Sequence, residues 1–177
     1  MVDVRAGLGA KDDSRSDQRN DMARIEYYND PAAPKPNSIV VAVTVFVTDS
    51  ADRVLLIRRT DNGLWALPGG AQDFGEYVAQ TAVRETKEES GVDIRVAGLV
   101  GIYSDPKHVV AYSDGEVRQQ FSICFRGQYL GGSPTPSSES SEVRWVSREE
   151  LDQLPIHPSM RLRIDHGYEQ RTEPYIG

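Results

Sequence analysis

The chain has a single cysteine, Cys124, so it forms no internal disulfide, and a zinc site would lack the usual cysteine cluster. Cys124 lies in the apolar run SICF and reads as a small buried hydrophobe. Basic side chains are in the minority: 20 Lys and Arg stand against 27 Asp and Glu, a net charge of −7. That balance opposes nonspecific binding to nucleic acid or to an anionic membrane. It also means that a polyphosphate would need a cation to approach. No apolar run is long enough for a membrane-spanning helix, and no signal-peptide pattern is present. The expectation is a cytoplasmic protein. Internal repeats are absent as well.

What is present suits one domain with a sizeable core. Residues 1–24 are polar and without apolar periodicity, and read as disordered or tag-derived. Tyr27 and Tyr28 precede the proline-rich PAAPKPN and are expected to dock on the domain, with stacking on a base as the alternative. Ile39–Thr48 is nearly continuous in β-branched residues and predicts a strand buried on both faces. Arg53–Arg59 predicts a second strand. Asp93–Ser104 predicts another, with Gly98 and Gly101 allowing bulges. DPKHVVAYSDGE reads as a polar loop, Val117–Leu130 as a long strand, Gly131–Ser141 as a flexible loop, and Glu142–Val146 as a short strand. Ser147 and Glu150 form a capping box for a short helix. Pro158 opens a last helix through about Tyr168. Strands dominate, with helices packed around them, which gives an α+β or three-layer class.

The most informative stretch is Gly70 to Val92, GAQDFGEYVAQTAVRETKEESGV. It predicts a loop, a helix of roughly 3–4 turns, and a stop at Gly91. Val78, Ala79, Ala82, Val83 and Thr86 recur at three- and four-residue steps, an apolar stripe facing a core. Glu85, Glu88 and Glu89 are expected on the other side, crowded into one patch. Like charges at that spacing destabilise a helix by roughly 0.2–0.5 kcal/mol per pair. Glu88 and Glu89 also lie where the helix dipole disfavours negative charge. Two local rules broken together point to function. The partner that fits is a hard divalent cation with oxygen ligands, Mg²⁺ or Mn²⁺. Arg84, four residues before Glu88, is placed to orient a carboxylate. For three glutamates alone, a solvated acidic face is the plainer alternative.

The whole spacing resembles the Nudix box: glycine, five residues, glutamate, seven residues, then Arg-Glu-aliphatic-x-Glu-Glu-x-Gly-aliphatic. Gly70, Glu76, Arg84, Glu85, Glu88, Glu89 and Gly91 match it, and Val92 closes it. Seven residues, each with a background frequency of roughly one in fifteen, match by chance on the order of 10⁻⁸ per starting position. Thr86 departs, standing where an aliphatic residue is usual, which affects packing more than ligation. The resemblance is specific over this box and extends more loosely to about residues 38–155. It implies a mixed β-sheet in a three-layer αβα sandwich, a Nudix fold, with residues 25–177 as one domain.

The resemblance further implies a hydrolase that cleaves the pyrophosphate bond of a nucleoside diphosphate linked to another group, such as ADP-ribose or another nucleotide sugar. A MutT-type nucleoside triphosphate pyrophosphohydrolase and a non-catalytic nucleotide-sensing module are the alternatives. An isomerase relative would need a reactive cysteine, which mid-strand Cys124 does not offer. The cofactor implied is Mg²⁺ or Mn²⁺, held by Glu85, Glu88, Glu89 and the carbonyl of Gly69, with Arg84 and Glu76 orienting the carboxylates. The general base is either a box glutamate or a glutamate before Trp145, with Glu139 favoured over Glu142. Candidate substrate contacts are Arg58, Arg59, Trp65, Tyr103, Lys107 and Arg118, with His108 and Gln119 nearby. The partner implied is a small-molecule nucleotide, not nucleic acid or membrane; a homodimer is compatible with the sequence.

Overall fold

The structure is a computed structural model and describes residues 24–169 and 171–177. In chain order it contains β1 (Arg24–Tyr28), β2 (Ser38–Thr48), β3 (Val54–Arg59), β4 (Trp65–Ala66), helix α1 (Val78–Ser90), β5 (Val92–Tyr103), β6 (His108–Tyr112), β7 (Val117–Gly132), β8 (Ser140–Val146), a 3₁₀ helix (Arg148–Gln153), helix α2 (Pro158–Tyr168) and β9 (Tyr175–Ile176). The expectation for residues 1–24 lies outside the described residues, except that Arg24 opens β1 opposite Tyr112.

β2 and β7 run parallel from Ser38 beside Arg118 to Thr48 beside Gln128, and this pair is the spine of a mixed sheet. β7 is long enough to hold β6 on its first residues and β5 along the rest, both antiparallel. β5 shifts register around Gly98 and Gly101, the bulges expected there. β3 carries β8 and β4 antiparallel.

β2 and β3 read as continuous apolar runs because each strand supplies both cores. Val43, Val45 and Val47 of β2 join Leu55 and Ile57 of β3 and Ala82 of α1 on one face. Phe46 of β2 joins Leu56, Trp65, Cys124 and Ile164 of α2 on the other. Side chains alternate across a strand, so a sheet covered on both faces shows no polar alternation. Cys124 is fully buried, as its apolar run implied. The result is helix, sheet, helix.

Short strands also run where the sequence was read as loop or lead-in, or where it carried no reading. β6 occupies His108–Tyr112, within the segment expected to be a polar loop, and β1 pairs with it from Arg24–Tyr112 to Tyr28–His108. β9 pairs in parallel with β5. Each has at most five residues; β1 and β9 form by pairing with a remote segment, which a local pattern does not reveal, and β6 also forms a hairpin with β7.

Helix α1 begins at Val78 and stops at Gly91, whose φ of 72° is left-handed and whose N–H caps the Lys87 carbonyl. Its buried face differs from the expected stripe. Thr81, Ala82, Thr86, Glu89 and Ser90 are buried, whereas Val83 is exposed. Glu89 therefore lies on the buried side, not with Glu88 on the solvent side. Loop 133–140 packs over the end of the helix, with Thr135 N–H donating to the Ser90 carbonyl and Ser140 Oγ donating to the Glu89 carbonyl at 2.6 Å.

Candidate active site

The loop before α1 sets the carboxylates. Pro68 and Gly70 bind β2 through their carbonyls, which accept Val45 N–H at 2.9 Å and Val43 N–H at 2.8 Å. The Gly69 carbonyl between them accepts no hydrogen bond from a described residue. The Gly69 N–H donates to Glu89 Oε2 at 2.7 Å. A Cβ on Gly69 would collide with the Val43 carbonyl, so backbone must come this close and only glycine permits it. A Cβ on Gly70 would lie 2.6 Å from both carboxylate oxygens of Glu85. The two adjacent glycines thus receive Glu89 and Glu85, one turn apart on α1, which converts the six-residue approach Trp65–Gly70 into a seat for two glutamates.

Arg84 holds the outer side of this seat. Its Nε donates to Glu76 Oε1 at 2.7 Å and its Nη2 to Glu76 Oε2 at 2.9 Å. Its Nη1 reaches Glu85 Oε1 at 2.8 Å and Glu88 Oε2 at 3.1 Å. The Arg84 guanidinium and the Thr81 hydroxyl draw the Glu76 carboxyl down to about 2, and Arg84 is raised in turn, first by Glu76. Glu76 is an anchor for the arginine and does not line the cleft. Glu88 is exposed and bound to Arg84.

The inner carboxylates behave oppositely. Burial pushes Glu89 up to about 8, against the Gly69 N–H and the Arg59 charge and with help from Glu85 and Glu139. Burial also raises Glu85, with Glu88 and Glu139 adding to it against Arg84. The crowding inferred for one helix face is thus realised between Glu85, Glu89 and a loop residue, Glu139. That loop residue is held, contrary to the flexible loop expected: its carbonyl accepts Thr60 N–H at 3.1 Å and its N–H donates to Ser137 Oγ at 3.2 Å.

Glu89 and Glu139 border a cleft of about 1190 Å³ on the α2 side of the sheet, lined also by Gly69, Gly70, Arg59, Arg163, Ser122 and His157; Glu85 stands behind Gly70 and is not among its lining residues. Of the candidate substrate contacts, Arg59, Trp65 and Arg118 line it. Arg59 is held bidentate by Asp61 at 2.9–3.0 Å. Trp65 is core, with the Arg144 guanidinium 4.9 Å from its ring centroid. Three candidates are not brought to the cleft. Arg58 alternates outward on β3 and bonds the Gly63 carbonyl. Tyr103 is buried with its hydroxyl on His166 Nδ1 at 3.0 Å. Lys107 is exposed in the turn before β6. Gln119 turns to the Ser104 carbonyl. Glu142 lies exposed on β8 beside Arg144.

Sequence reasoning missed a cluster on the cleft wall. Glu26 on β1 receives His108 Nε2 at 2.6 Å and lies 3.6 Å from His157 Nε2, and the ligand-capable atoms of the three lie within 4.8 Å of one another. His157 Nδ1 accepts the Ser159 N–H at the start of α2, which assigns the proton of the neutral ring to Nε2, facing Glu26. Tyr28 meets both imidazoles edge-on, docking as expected. The signal would have been the alternation in RIEYY and HVVAY, legible only with the knowledge that the two pair.

The two glycines make separable predictions. Gly70→Ala is expected to displace the Glu85 carboxylate, a mobile side-chain end, and to lower turnover by about 10–100-fold with a small change in melting temperature. Gly69→Ala meets backbone and should lower the melting temperature sharply. Thermal melts and initial rates on both variants check this, and full activity in Gly70→Ala would show that Glu85 is not needed where it lies.

The model of the NUDIX domain matches residues 39–166. The chain is 33% identical over 121 residues to a MutT-like protein of Streptomyces ambofaciens, covering 68% of this chain and 71% of that protein. It is 31% identical over 153 residues to the ADP-ribose pyrophosphatase of Methanocaldococcus jannaschii, covering 84% and 76%. A NUDIX hydrolase from Nitrosomonas europaea superposes with a TM-score of 0.64 at 24% identity, covering 80% of both chains. The chain belongs to the Nudix family of hydrolases. It is an enzyme of the pyrophosphohydrolase kind, on the α+β sandwich that the box implied. Among the described residues no helix is long and apolar enough to cross a membrane.

Proposed function

We propose that the protein is a Mg²⁺- or Mn²⁺-dependent hydrolase of a nucleoside diphosphate linked to a second group, of the ADP-ribose or nucleotide-sugar type, acting in the cytoplasm. The observation that carries this reading is the seating of Glu89 on the Gly69 N–H and of Glu85 against Gly70, beside the unbonded Gly69 carbonyl, with Glu139 on the same cleft as Glu89. Two carboxyls, part-buried Glu85 and buried Glu89, both raised first by burial and then by neighbouring acidic charge, next to an open backbone oxygen, fit a hard divalent cation and are otherwise costly. Glu85, Glu89 and the Gly69 carbonyl would hold the cation, with Glu88 reaching in from the solvent side. When bound, it supplies charge screening for the diphosphate and acidifies nearby water.

The chain's own groups account for the rest. Arg84, held by Glu76, fixes the orientation of Glu85 and Glu88. Glu139 takes the proton from water as the water oxygen attacks phosphorus, and the bridging P–O bond breaks towards the departing phosphate. Arg59 lies where its charge acts on Glu89 and Glu139 and can face the diphosphate. The cleft supports a substrate with groups on both sides of the scissile bond, since about 1190 Å³ is more than a diphosphate fills. The relative named ADP-ribose pyrophosphatase aligns over 84% of the chain, which supports this class.

Turnover is expected to vanish on chelation and to return with Mg²⁺ or Mn²⁺. A screen of nucleotide sugars, dinucleotides and triphosphates, read by nucleotide or phosphate release, tests both metal and substrate. Full activity after exhaustive chelation would overturn the metal assignment, and preference for triphosphates would replace the substrate class.

A further inference from the structure

The arginines of the cleft other than Arg163 have carboxylate partners. Arg24 and Arg59 share Asp61 at 3.0 and 2.9 Å, and Arg118 is bound to Glu116 at 2.8 Å. Arg163, on α2, has no hydrogen bond or ion pair with any described residue, although it is 6% exposed. Its guanidinium lies over the Tyr103 ring, 5.2 Å from the centroid. Glu26, whose charge acts on it, is engaged by His108 and His157. A buried cation without a partner is among the costliest arrangements in a protein interior. Two further buried polar atoms lining the same cleft are also without partners: Ser122 Oγ on β7 and Thr44 Oγ1 on β2. Both come from the α2-facing side of the sheet, opposite the helix that carries Arg163.

One cation with a buried, unpartnered Nε and two buried hydroxyls, Ser122 without a partner and Thr44 with only the weak Cys124 thiol beside it, are the complement of an acceptor-rich anion. Building on the substrate class proposed above, we propose that Arg163, Ser122 and Thr44 form an oxyanion subsite that takes a phosphate or carboxylate on the part of the substrate remote from the scissile diphosphate. The guanidinium fork offers paired donors to two oxygens of such a group, and the hydroxyls offer single donors from the sheet. Tyr103 stabilises the guanidinium from below, and its own hydroxyl is fixed by His166. The subsite lies on the cleft that Glu89 and Glu139 also line, so one substrate can span both.

The test uses the full chain in chelator without nucleotide, with inorganic phosphate and acetate as probes. About 10 mM phosphate is expected to raise the wild-type melting temperature by about 3 °C or more, and acetate less. Arg163→Met should melt about 3–10 °C higher than wild type without anion, because an unpaired buried charge is removed, and should lose the phosphate response. A merely structural arginine would give the opposite sign, a lower melting temperature. Phosphate bound at the carboxylate end would stabilise both proteins equally. Either result overturns the proposal, as does a wild-type response to guanosine with none to phosphate or acetate. If Arg163→Met does not fold, Ser122→Ala carries the test by weakening phosphate binding about 3–10-fold in titration calorimetry. Because turnover is not measured, failure here leaves the hydrolase reading intact. A failed substrate screen leaves the anion result intact.

Discussion

Glu89→Gln is expected to abolish measurable turnover and, at the same time, to raise the melting temperature of the metal-free protein above pH 7. Glutamine keeps the shape, and its carbonyl still accepts the Gly69 N–H now given to Glu89 at 2.7 Å. It removes the charge that would bind a divalent cation. Burial and the neighbouring Glu85 and Glu139 hold Glu89 at about 8, well above the ordinary carboxylate value of 4.5. A group raised on folding contributes stability that is fully present below about 4.5 and is lost as pH rises through 8. The full loss is on the order of a few kcal/mol, or about 5–10 °C for a domain of this size. Between about pH 5 and 8 the wild-type protein in chelator should therefore lose melting temperature relative to Glu89→Gln, with no further divergence above pH 8. His157, lowered by burial, acts with the opposite slope but at lower pH. Mg²⁺ should restore the wild type and leave the variant unchanged. Parallel pH curves, or retained turnover, would remove Glu89 from the metal seat.

Glu139→Gln is expected to lower turnover by about 10²–10⁴-fold, the range of a general base, while the chelated protein keeps its fold. The loop is anchored through backbone atoms, the Thr60 N–H on the Glu139 carbonyl and the Ser137 hydroxyl on its N–H, so removing the side-chain charge leaves the anchors in place. Metal affinity should change little, because the cation is assigned to Glu85, Glu89 and the Gly69 carbonyl. Glu142→Gln is the control: Glu142 is exposed beside Arg144, and its rate should stay within about twofold. A silent Glu139→Gln would move the base into the box, with Glu85 next to test. A silent Glu139→Gln with an active effect at Glu142 would exchange the two roles.

Legibility in the sequence followed the range of the interactions. The end of α1 at Gly91, the bulges at Gly98 and Gly101, and the last helix from Pro158 to Tyr168 were all readable, because caps, bulges and first-turn prolines are chosen by residues within a few positions. β1 was not, because a five-residue strand forms only when a partner arrives, and its partner lies some eighty positions away; β6 was missed although β7, its hairpin partner, starts at Val117, because its five residues were read with the polar residues on either side. With those strands went Glu26 and the pairing of His108 with His157. Arg58 and Arg59 looked equivalent at the end of β3. Strand alternation sent one to the Gly63 carbonyl and the other to the cleft.

The chain alone specified the chemistry and the local frame: a box of glutamates at helical spacing, two glycines before it, and an arginine to orient them. Spacing determines these because the helix repeat and the glycine backbone are properties of a few consecutive residues. The tertiary structure decided which carboxylates are desolvated. Adjacent in sequence, Glu88 faces water on Arg84, and Glu89 is sealed against Gly69 by the loop that also delivers Glu139. It likewise decided that Arg163, an ordinary arginine in the sequence, has no partner at the wall of the cleft. Burial depends on what remote segments pack over a side chain, and that depends on the whole fold rather than on spacing.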